Sequence, residues 1–367
     1  HLHQPAKGRH PLQDAPHTGS SRQRIRNNVF QDCKLAHQAQ ITGISHSVKE
    51  ILPPDLLDLT QLQKEANIRY GFTASEVYDI AQSLYEKKLI SYPRTSSRYL
   101  TEDVLDSLSP IMARLLSWEL FPAAKGTGGI DISSLSRHVI NAEKANVHHA
   151  IIITGIRPGN MSEKEMQVYR LVAGRMLETF MAPCRIETTN VEAVCAAQHF
   201  KAEQTRIIEA GWHDVFMRSD MVPKSGYSVN ELPEVEKGDT LNVCGCNMVH
   251  KKQLPVDPFT DAELVEYMEQ NGLGTVSSRT NIIRTLVNRK YIRYSGKYIV
   301  PTPKGMFTYE TIRGKKIADT SLTADWEKQL AGLESGMITG QDFLNRIRTL
   351  AKEMTDDIFN TYSTKEE

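Results

Sequence analysis

The chain has 367 residues, with forty-four Lys and Arg matched by forty-four Asp and Glu. That length implies two or three domains, and the charge balance means any nucleic-acid surface must come from local clustering. Mean hydropathy is −0.40, no apolar run approaches the roughly eighteen residues of a membrane span, and the first residues lack an apolar signal region. Five cysteines, an odd and sparse set, predict a reducing, cytoplasmic setting rather than a disulfide framework.

Residues 1–22 are rich in His, Gln, Pro and Ser, show no periodicity, and predict a disordered leader. Gln40-Ile41-Thr42-Gly43-Ile44 reads as a strand, and Pro53-Pro54 opens a helical region. Thr60 with Gln63 has capping-box spacing, predicting a helix to about Arg69 that Gly71 breaks. Thr73 with Glu76 repeats the box, and Val77, Ile80, Ala81, Leu84 and Tyr85 follow at helical spacing. An extended stretch through Ile90 and Tyr92 comes next. The order helix, glycine turn, helix, strand suits a helix-turn-helix or winged-helix unit.

Leu89-Ile90-Ser91-Tyr92-Pro93-Arg94-Thr95 places a phenol beside a guanidinium. A phenol can attack a phosphodiester and hold the phosphoryl group, and a guanidinium can clamp its free oxygens. Pro93 fixes the backbone between them. The ordinary reading is a strand end with a half-buried Tyr and a solvated Arg. His148-His149-Ala150-Ile151-Ile152 is the second candidate. No Cys or carboxylate stands at ligand spacing nearby, so a metal site is not expected there; packing and phosphate contact both remain open.

A helix is predicted from Ser162 to Phe180, followed by a β-rich stretch from about Arg185 to Cys246 in which Cys244 and Cys246 read as strand residues. Thr260 with Glu263 forms another capping box, Gly272-Leu273-Gly274 turns the chain, and a helix runs from about Ser277 to Arg289. Ile282, Ile283, Leu286 and Val287 are expected to face inward, leaving Arg279, Arg284 and Arg289 on the polar side as candidate phosphate contacts. Tyr291 to Thr302 reads as a hairpin turning at Ser295-Gly296. Leu322 to Asn360 is helical, with Leu330, Leu333, Phe343, Ile347, Leu350 and Met354 at packing positions.

Leu59-Thr60-Gln61-Leu62-Gln63-Lys64-Glu65-Ala66-Asn67, Gly71-Phe72, Ala81-Gln82-Ser83-Leu84-Tyr85-Glu86 and Tyr92-Pro93-Arg94-Thr95 closely resemble type IA DNA topoisomerases of the bacterial topoisomerase III kind. His148 to Ile152, Gly272-Leu273-Gly274-Thr275 with Ser278-Arg279-Thr280, Val300 to Gly305 and Leu322 to Glu327 also resemble segments of that family, over about Ile44 to Ile358. The resemblance implies a multidomain α+β architecture, the arch of a toroid with helical, winged-helix-like domains on a β-rich hinge. The expected division is 23–51 and 179–250 for the hinge, 52–178 for the tyrosine-bearing domain and 251–367 for a DNA-binding base.

The resemblance further implies that Tyr92 attacks a single-stranded DNA phosphate to give a 5′-phosphotyrosine, that Arg94 clamps the phosphate and that His148 contacts a neighbouring one. Thr275, Ser278, Arg279 and His149 are implied as DNA contacts. Ser96 stands where the family usually has Asp, and Ile153 where it usually has Pro. No Asp-x-Asp occurs in the chain, so no metal ligand and no cofactor are expected within it. Mg²⁺ would come with a nucleotidyl-transfer-like (Toprim) domain, expected upstream in the same gene product, and the chain alone is expected to be inactive. A non-catalytic single-stranded DNA-binding module and a duplex-reading winged-helix protein remain as alternatives.

Overall fold

The computed structural model describes residues 19–118, 120–121, 139–141, 143–145, 148–216, 228–229, 231–249 and 257–363. The chain divides into two compact units, one of residues 1–54, 123–130 and 180–255, the other of 55–122, 131–179 and 256–367.

The first unit is built on an antiparallel sheet. Helix α1 (Gly19–Leu35) precedes β1 (Gln38–Ile51), which pairs on one side with β2 (Cys184–Cys195) and on the other with the short β4 (Thr240–Asn242); β3 (Gln198–Glu209) pairs with β2, giving the order β3-β2-β1-β4. Alternating side chains of β1 and β2 supply the core, in which Ile41, Val191 and Ala193 are buried against Ile44, Leu232, Val235 and Leu241. A bulge between Ile41 and Gly43 interrupts the period, and beyond it β1 loses its buried face. Trp212 is fully buried and donates its indole N–H to the Ile51 carbonyl at 2.9 Å.

Two expectations change here. Residues 1–18 of the expected leader lie outside the described residues, while 19–22 open helix α1; Cys33 on that helix is 3% exposed, and burial pushes its thiol up to about 11. Cys244 and Cys246 fall beyond the end of β4 rather than in a strand. Both are free thiols.

The second unit holds α2 (Leu59–Tyr70), α3 (Ala74–Glu86), α4 (Glu102–Ser117) and α5 (Glu163–Thr179), then α6 (Asp261–Gln270), α7 (Val276–Asn288), the hairpin β5 (Ile292–Ser295) and β6 (Tyr298–Pro301), α8 (Pro303–Ile312), α9 (Thr320–Glu334) and α10 (Gly340–Ser363). Helix α2 starts earlier than its sequence predicts: Asp58 is the cap, accepting from the Gln61 amide at 2.7 Å, and Thr60 is buried inside the helix. Asp58 is the better cap because it also accepts from Arg98 Nε at 2.6 Å. Gly71 ends the helix in the left-handed region at φ 70°. The capping boxes Thr73–Glu76 and Thr260–Glu263 form as predicted.

Helix α5 is buried from Leu171 to Thr179 on every side, as a central helix must be. Its Arg175 is satisfied by Glu178 at 3.0 Å, Glu65 at 2.6 Å and the Asp55 carbonyl at 3.0 Å. Polar ties also join the early helices to the later ones. Gln63, 1% exposed, donates to the Ala74 carbonyl at 3.0 Å and Thr280 Oγ1 at 2.9 Å. Asp261 accepts from the Ala74 amide and from Tyr294 Oη, and burial raises its carboxyl pKa. Around these bonds Ala74, Val265, Met268, Ile283 and Ile299 form one apolar cluster.

On α7 only Ile283 of the expected stripe is fully buried; Leu286 and Val287 are half-buried and Ile282 is exposed. Helices α9 and α10 keep Phe343, Ile347, Leu350 and Met354 half-buried, with Leu330 exposed.

Glu165 fastens the start of α5 to the end of α3, accepting from Ser83 Oγ at 2.7 Å, Lys87 Nζ at 2.6 Å and the Ser162 amide at 2.9 Å. The Lys87 and Ser83 bonds hold its carboxyl down to about 2, from 4.5. A carboxyl depressed on folding stabilises fully above its unfolded value and loses that effect as pH falls through the folded one. Glu165→Gln should therefore cost roughly 1 kcal/mol at neutral pH, and thermal melts of variant and parent should converge as pH drops below 4.5 toward about 2. A gap that widens in acid would contradict this.

Candidate functional site

The Tyr92 segment is placed by backbone pairing. After α3, Lys88 takes a left-handed conformation (φ 61°) and the Leu89 amide bonds back to the Leu84 carbonyl at 2.9 Å, turning the chain sharply. The strand-like run that follows pairs antiparallel with the His148 segment: Thr154 N donates to Leu89 O at 3.1 Å, Ser91 N to Ile152 O at 2.8 Å, and Ile90 bridges Ile153. Side chains complete the seam. Ser91 Oγ donates to Ala150 O at 3.1 Å and accepts from Ile152 N at 2.9 Å, while Thr95 Oγ1 donates to His148 O at 2.9 Å.

This seam brings Tyr92 against His148, with ring centroids 4.4 Å apart. Tyr85 from α3 meets the other side of Tyr92 edge-on, at 5.4 Å and 79°. Tyr92 is half-buried and His148 exposed, so the phenol is held by its ring and reachable from solvent. His149 turns differently: its Nδ1 lies 2.7 Å from the Ala150 carbonyl, where it donates as the Nδ1–H tautomer.

Arg94 is held by α3. Its Nη2 donates to Gln82 Oε1 at 3.2 Å, and its guanidinium carbon stands 5.1 Å over the Tyr78 ring. Its Nε is buried with no hydrogen-bond partner. A buried guanidinium N–H without an acceptor is a donor waiting for an anion. Arg94 and Tyr78 line one wall of a groove of about 530 Å³, whose other wall is the start of α7: Ser277, Ser278, Asn281 and Thr285. Gly272 (φ 65°) and Gly274 (φ 69°) turn the chain into that helix. Thr275 caps it, exposed, with its amide donating to Ser278 Oγ at 2.8 Å. The first turn of α7 thus offers hydroxyls and a positive dipole end to the groove.

Arg279 does not share this position. It is 8% exposed, paired with Glu269 at 3.1 Å and not part of the groove lining, although its Nε, like that of Arg94, is buried without a partner. Arg284 is likewise engaged, by Ser75 and by Asp79 at 2.8 Å. The polar face of α7 is instead made by Ser277, Ser278, Asn281 and Thr285, spaced at one, three and four residues. Of these four only Ser278 is among the contacts that the family resemblance implies. Gln82 and Tyr78 were likewise unassigned, although their i, i+4 relation puts both on one face of α3. Ser96 is exposed. Among the described residues no group of three or more His, Cys, Asp or Glu side chains gathers in a metal-binding arrangement.

Comparison with known proteins bears on what this site does. A family model described as DNA topoisomerase matches residues 12–345. The DNA topoisomerase 3 of Bacillus licheniformis is 32% identical over 87% of this chain and 47% of its own length, and that of Bacillus subtilis 30% identical over 89% and 48%. The chain thus spans about half the length of the curated relatives it matches. The structure of full-length topoisomerase I from Thermotoga maritima superposes with a TM-score of 0.68 at 22% identity, covering 92% of this chain and 54% of that one. No helix of the described residues is long and apolar enough to cross a membrane.

Because Arg279 is buried and ion-paired, Arg279→Ala should cost stability, about 2–3 kcal/mol, in place of the selective binding loss its sequence position predicts. A thermal melt paired with a DNA-binding isotherm decides: an unchanged melt with weakened binding would return Arg279 to the DNA-facing side.

Proposed function

The chain belongs to the type IA DNA topoisomerase family, and from that premise we propose that it carries the tyrosine of a single-strand cleavage and rejoining reaction. The observation that carries this reading is Tyr92 packed on His148, with Arg94, two residues on in the chain, lining the groove with its Nε unsatisfied.

In the proposed step, Tyr92 Oη attacks a phosphorus of single-stranded DNA, a P–O bond forms to the tyrosine and the bond to the 3′ oxygen breaks. The phenolic proton leaves to a base and the 3′ oxygen gains one, giving a 5′-phosphotyrosine and a 3′-hydroxyl. Another strand passes, and the 3′-hydroxyl reverses the transfer. The phosphotyrosine conserves the bond energy, so no nucleotide is consumed. Arg94 stabilises charge developing on the phosphate, held in place beforehand by Gln82 and Tyr78. His148, exposed beside the nucleophile, contacts a phosphate next to the cut. Ser278 on the groove wall, with Thr275 and the amides at the start of α7, receives the strand backbone. His149 is assigned a supporting contact; its bond to Ala150 O holds the ring.

An unassisted phenol has a pKa near ~10 and is a poor nucleophile at neutral pH. Among the described residues no three or more His, Cys, Asp or Glu gather to hold a metal; Mg²⁺ and the acid that protonates the leaving oxygen would come from a Toprim domain. The same reading treats 23–51 with 179–250 as a hinge, 52–178 as the tyrosine-bearing part and 251–367 as a DNA-binding base.

Two outcomes are expected. The chain should bind single-stranded DNA in preference to blunt random duplex and release it steeply as salt rises; a titration giving equal or tighter binding to the blunt duplex would defeat the reading. In the protein completed in cis by its Toprim domain, labelled DNA should be trapped covalently under denaturing conditions. Tyr92→Phe should abolish that adduct without weakening binding, and Arg94→Ala should slow its formation by ~10²–10³-fold. An adduct surviving in Tyr92→Phe would overturn the assignment.

A further inference from the structure

The hairpin after α7 has two faces, and only one is used by the core. Ile299 is buried and Tyr294 bonds Asp261, so Ile292, Tyr294 and Ile299 face inward. The pairs Arg293↔Val300 and Ser295↔Tyr298 therefore face outward, since side chains alternate along a strand. The ladder extends one step further, because Thr302 N donates to Tyr291 O at 3.0 Å; Tyr291 joins the outer face.

Three exposed cations lie on or beside that face. Lys304, at the start of α8, stands 4.4 Å over the Tyr291 ring and donates to the Arg289 carbonyl at 2.9 Å. Arg293 follows on the strand. Lys297, at the turn, stands 5.1 Å over the Tyr298 ring. Among the described residues none of the three forms an ion pair, whereas Lys64, Lys164, Arg175, Arg279 and Arg284 all do. Carboxylates approach only at the turn end: Glu263 feels Lys297 through space, and Asp257 accepts from Tyr298 Oη at 3.2 Å. Exposed Arg289 and Lys290 continue the positive strip behind Tyr291.

We infer that this outer face is a second nucleic-acid contact, binding the phosphate backbone of duplex DNA that flanks the single strand. It rests on the reading that the groove lined by Arg94 and α7 holds that strand. The strip from Tyr291 to Ser295 spans four residues, about 13 Å at ~3.3 Å each. That length runs beside about four phosphates of one duplex strand, at ~3.4 Å of axis apiece. The chemistry favours backbone over bases. Tyr291 and Tyr298 already have ammonium groups on their rings, so they offer cations to phosphates rather than open rings to unstacked bases. Charge left unpaired on a flat hairpin fits a duplex, whose charge density is high and whose outer surface is continuous.

The test uses the chain as it stands, with three probes: a single strand, the same strand joined to a duplex, and a blunt duplex. Arg293 and Lys297 are exposed, so Arg293→Gln/Lys297→Gln should melt with the parent. The parent should bind the tailed duplex roughly ten-fold tighter than the single strand. In the double variant that advantage should fall below about two-fold, the log K against log salt slope on the tailed probe should shrink by about two, and single-strand affinity should hold. A variant that keeps the tailed-duplex advantage overturns the inference, as does one that loses single-strand and tailed binding in equal measure. Failure of the underlying reading looks different: the parent would then bind single strand no better than blunt duplex.

Discussion

The site depends on one seam of backbone hydrogen bonds, that between residues 89–95 and 148–154. Neither segment belongs to a helix or to the main sheet; besides each other, both bond to the stretch before α2, Ile151 N to Leu57 O at 2.8 Å and Leu59 N to Thr95 O at 3.1 Å. Ser91 contributes both a backbone donor and a hydroxyl that accepts from one neighbour and donates to another, and Thr95 reaches the His148 carbonyl. Shift this pairing by one residue and Tyr92 would point away from His148, because alternate side chains of an extended segment point to opposite sides. The turn at Lys88 and the buried Leu89 and Ile90 hold the register from one side, and the buried run Ala150 to Ile153 from the other.

Helix α3 serves as the backing of this seam. Tyr78, Gln82 and Tyr85 occupy one face of it, each touching Tyr92 or Arg94. The helix is itself pinned at both ends, at Ala74 by Gln63 and Asp261 and at Ser83 and Lys87 by Glu165. A groove wall from α7 meets it through Thr280, bonded to the same Gln63. Buried polar groups of this kind contribute little net stability but fix geometry, since each misalignment leaves a donor or acceptor unpaired.

What could be read from the sequence follows the range of the interactions. Capping boxes at Thr73 and Thr260, the glycine stop at Gly71 and the hairpin at Gly296 depend on neighbours within a few residues, and all appear where expected. Helix α4 is not among the predicted elements although Thr101, Glu102 and Asp103 stand at its start and Leu108, Ile111, Met112 and Leu115 repeat at helical spacing; Pro110 inside it reads as a break. Asp58's advantage over Thr60 as a cap comes from Arg98, forty residues on, and is not visible in local spacing. The same limit applied to α7. Three arginines looked like one charged face, but Glu269 and Asp79, supplied by other helices, determine which of them are spoken for. The tyrosine, arginine and histidine are legible as candidates, and the family resemblance assigns their roles; the contact of Tyr92 with His148 is not legible, since it rests on pairing across more than fifty residues.

The same seam carries a small irregularity with a wider meaning. Ile153 occupies a position where the resembled family usually has proline, and its side chain is fully buried. A proline brings no amide hydrogen, so isoleucine introduces a donor into a dry interior. Here the thioether of Met176, on the central helix, lies 3.2 Å from that amide and accepts it. An amide left orphaned there would cost about 1–3 kcal/mol, and leucine at 176 would match methionine in bulk while offering no lone pair. In this chain the two positions therefore depend on each other: the sulfur at 176 satisfies the amide that isoleucine brings to 153. Sulfur oxidation at Met176 would disturb the amide of the active segment from behind, without touching any residue that faces DNA.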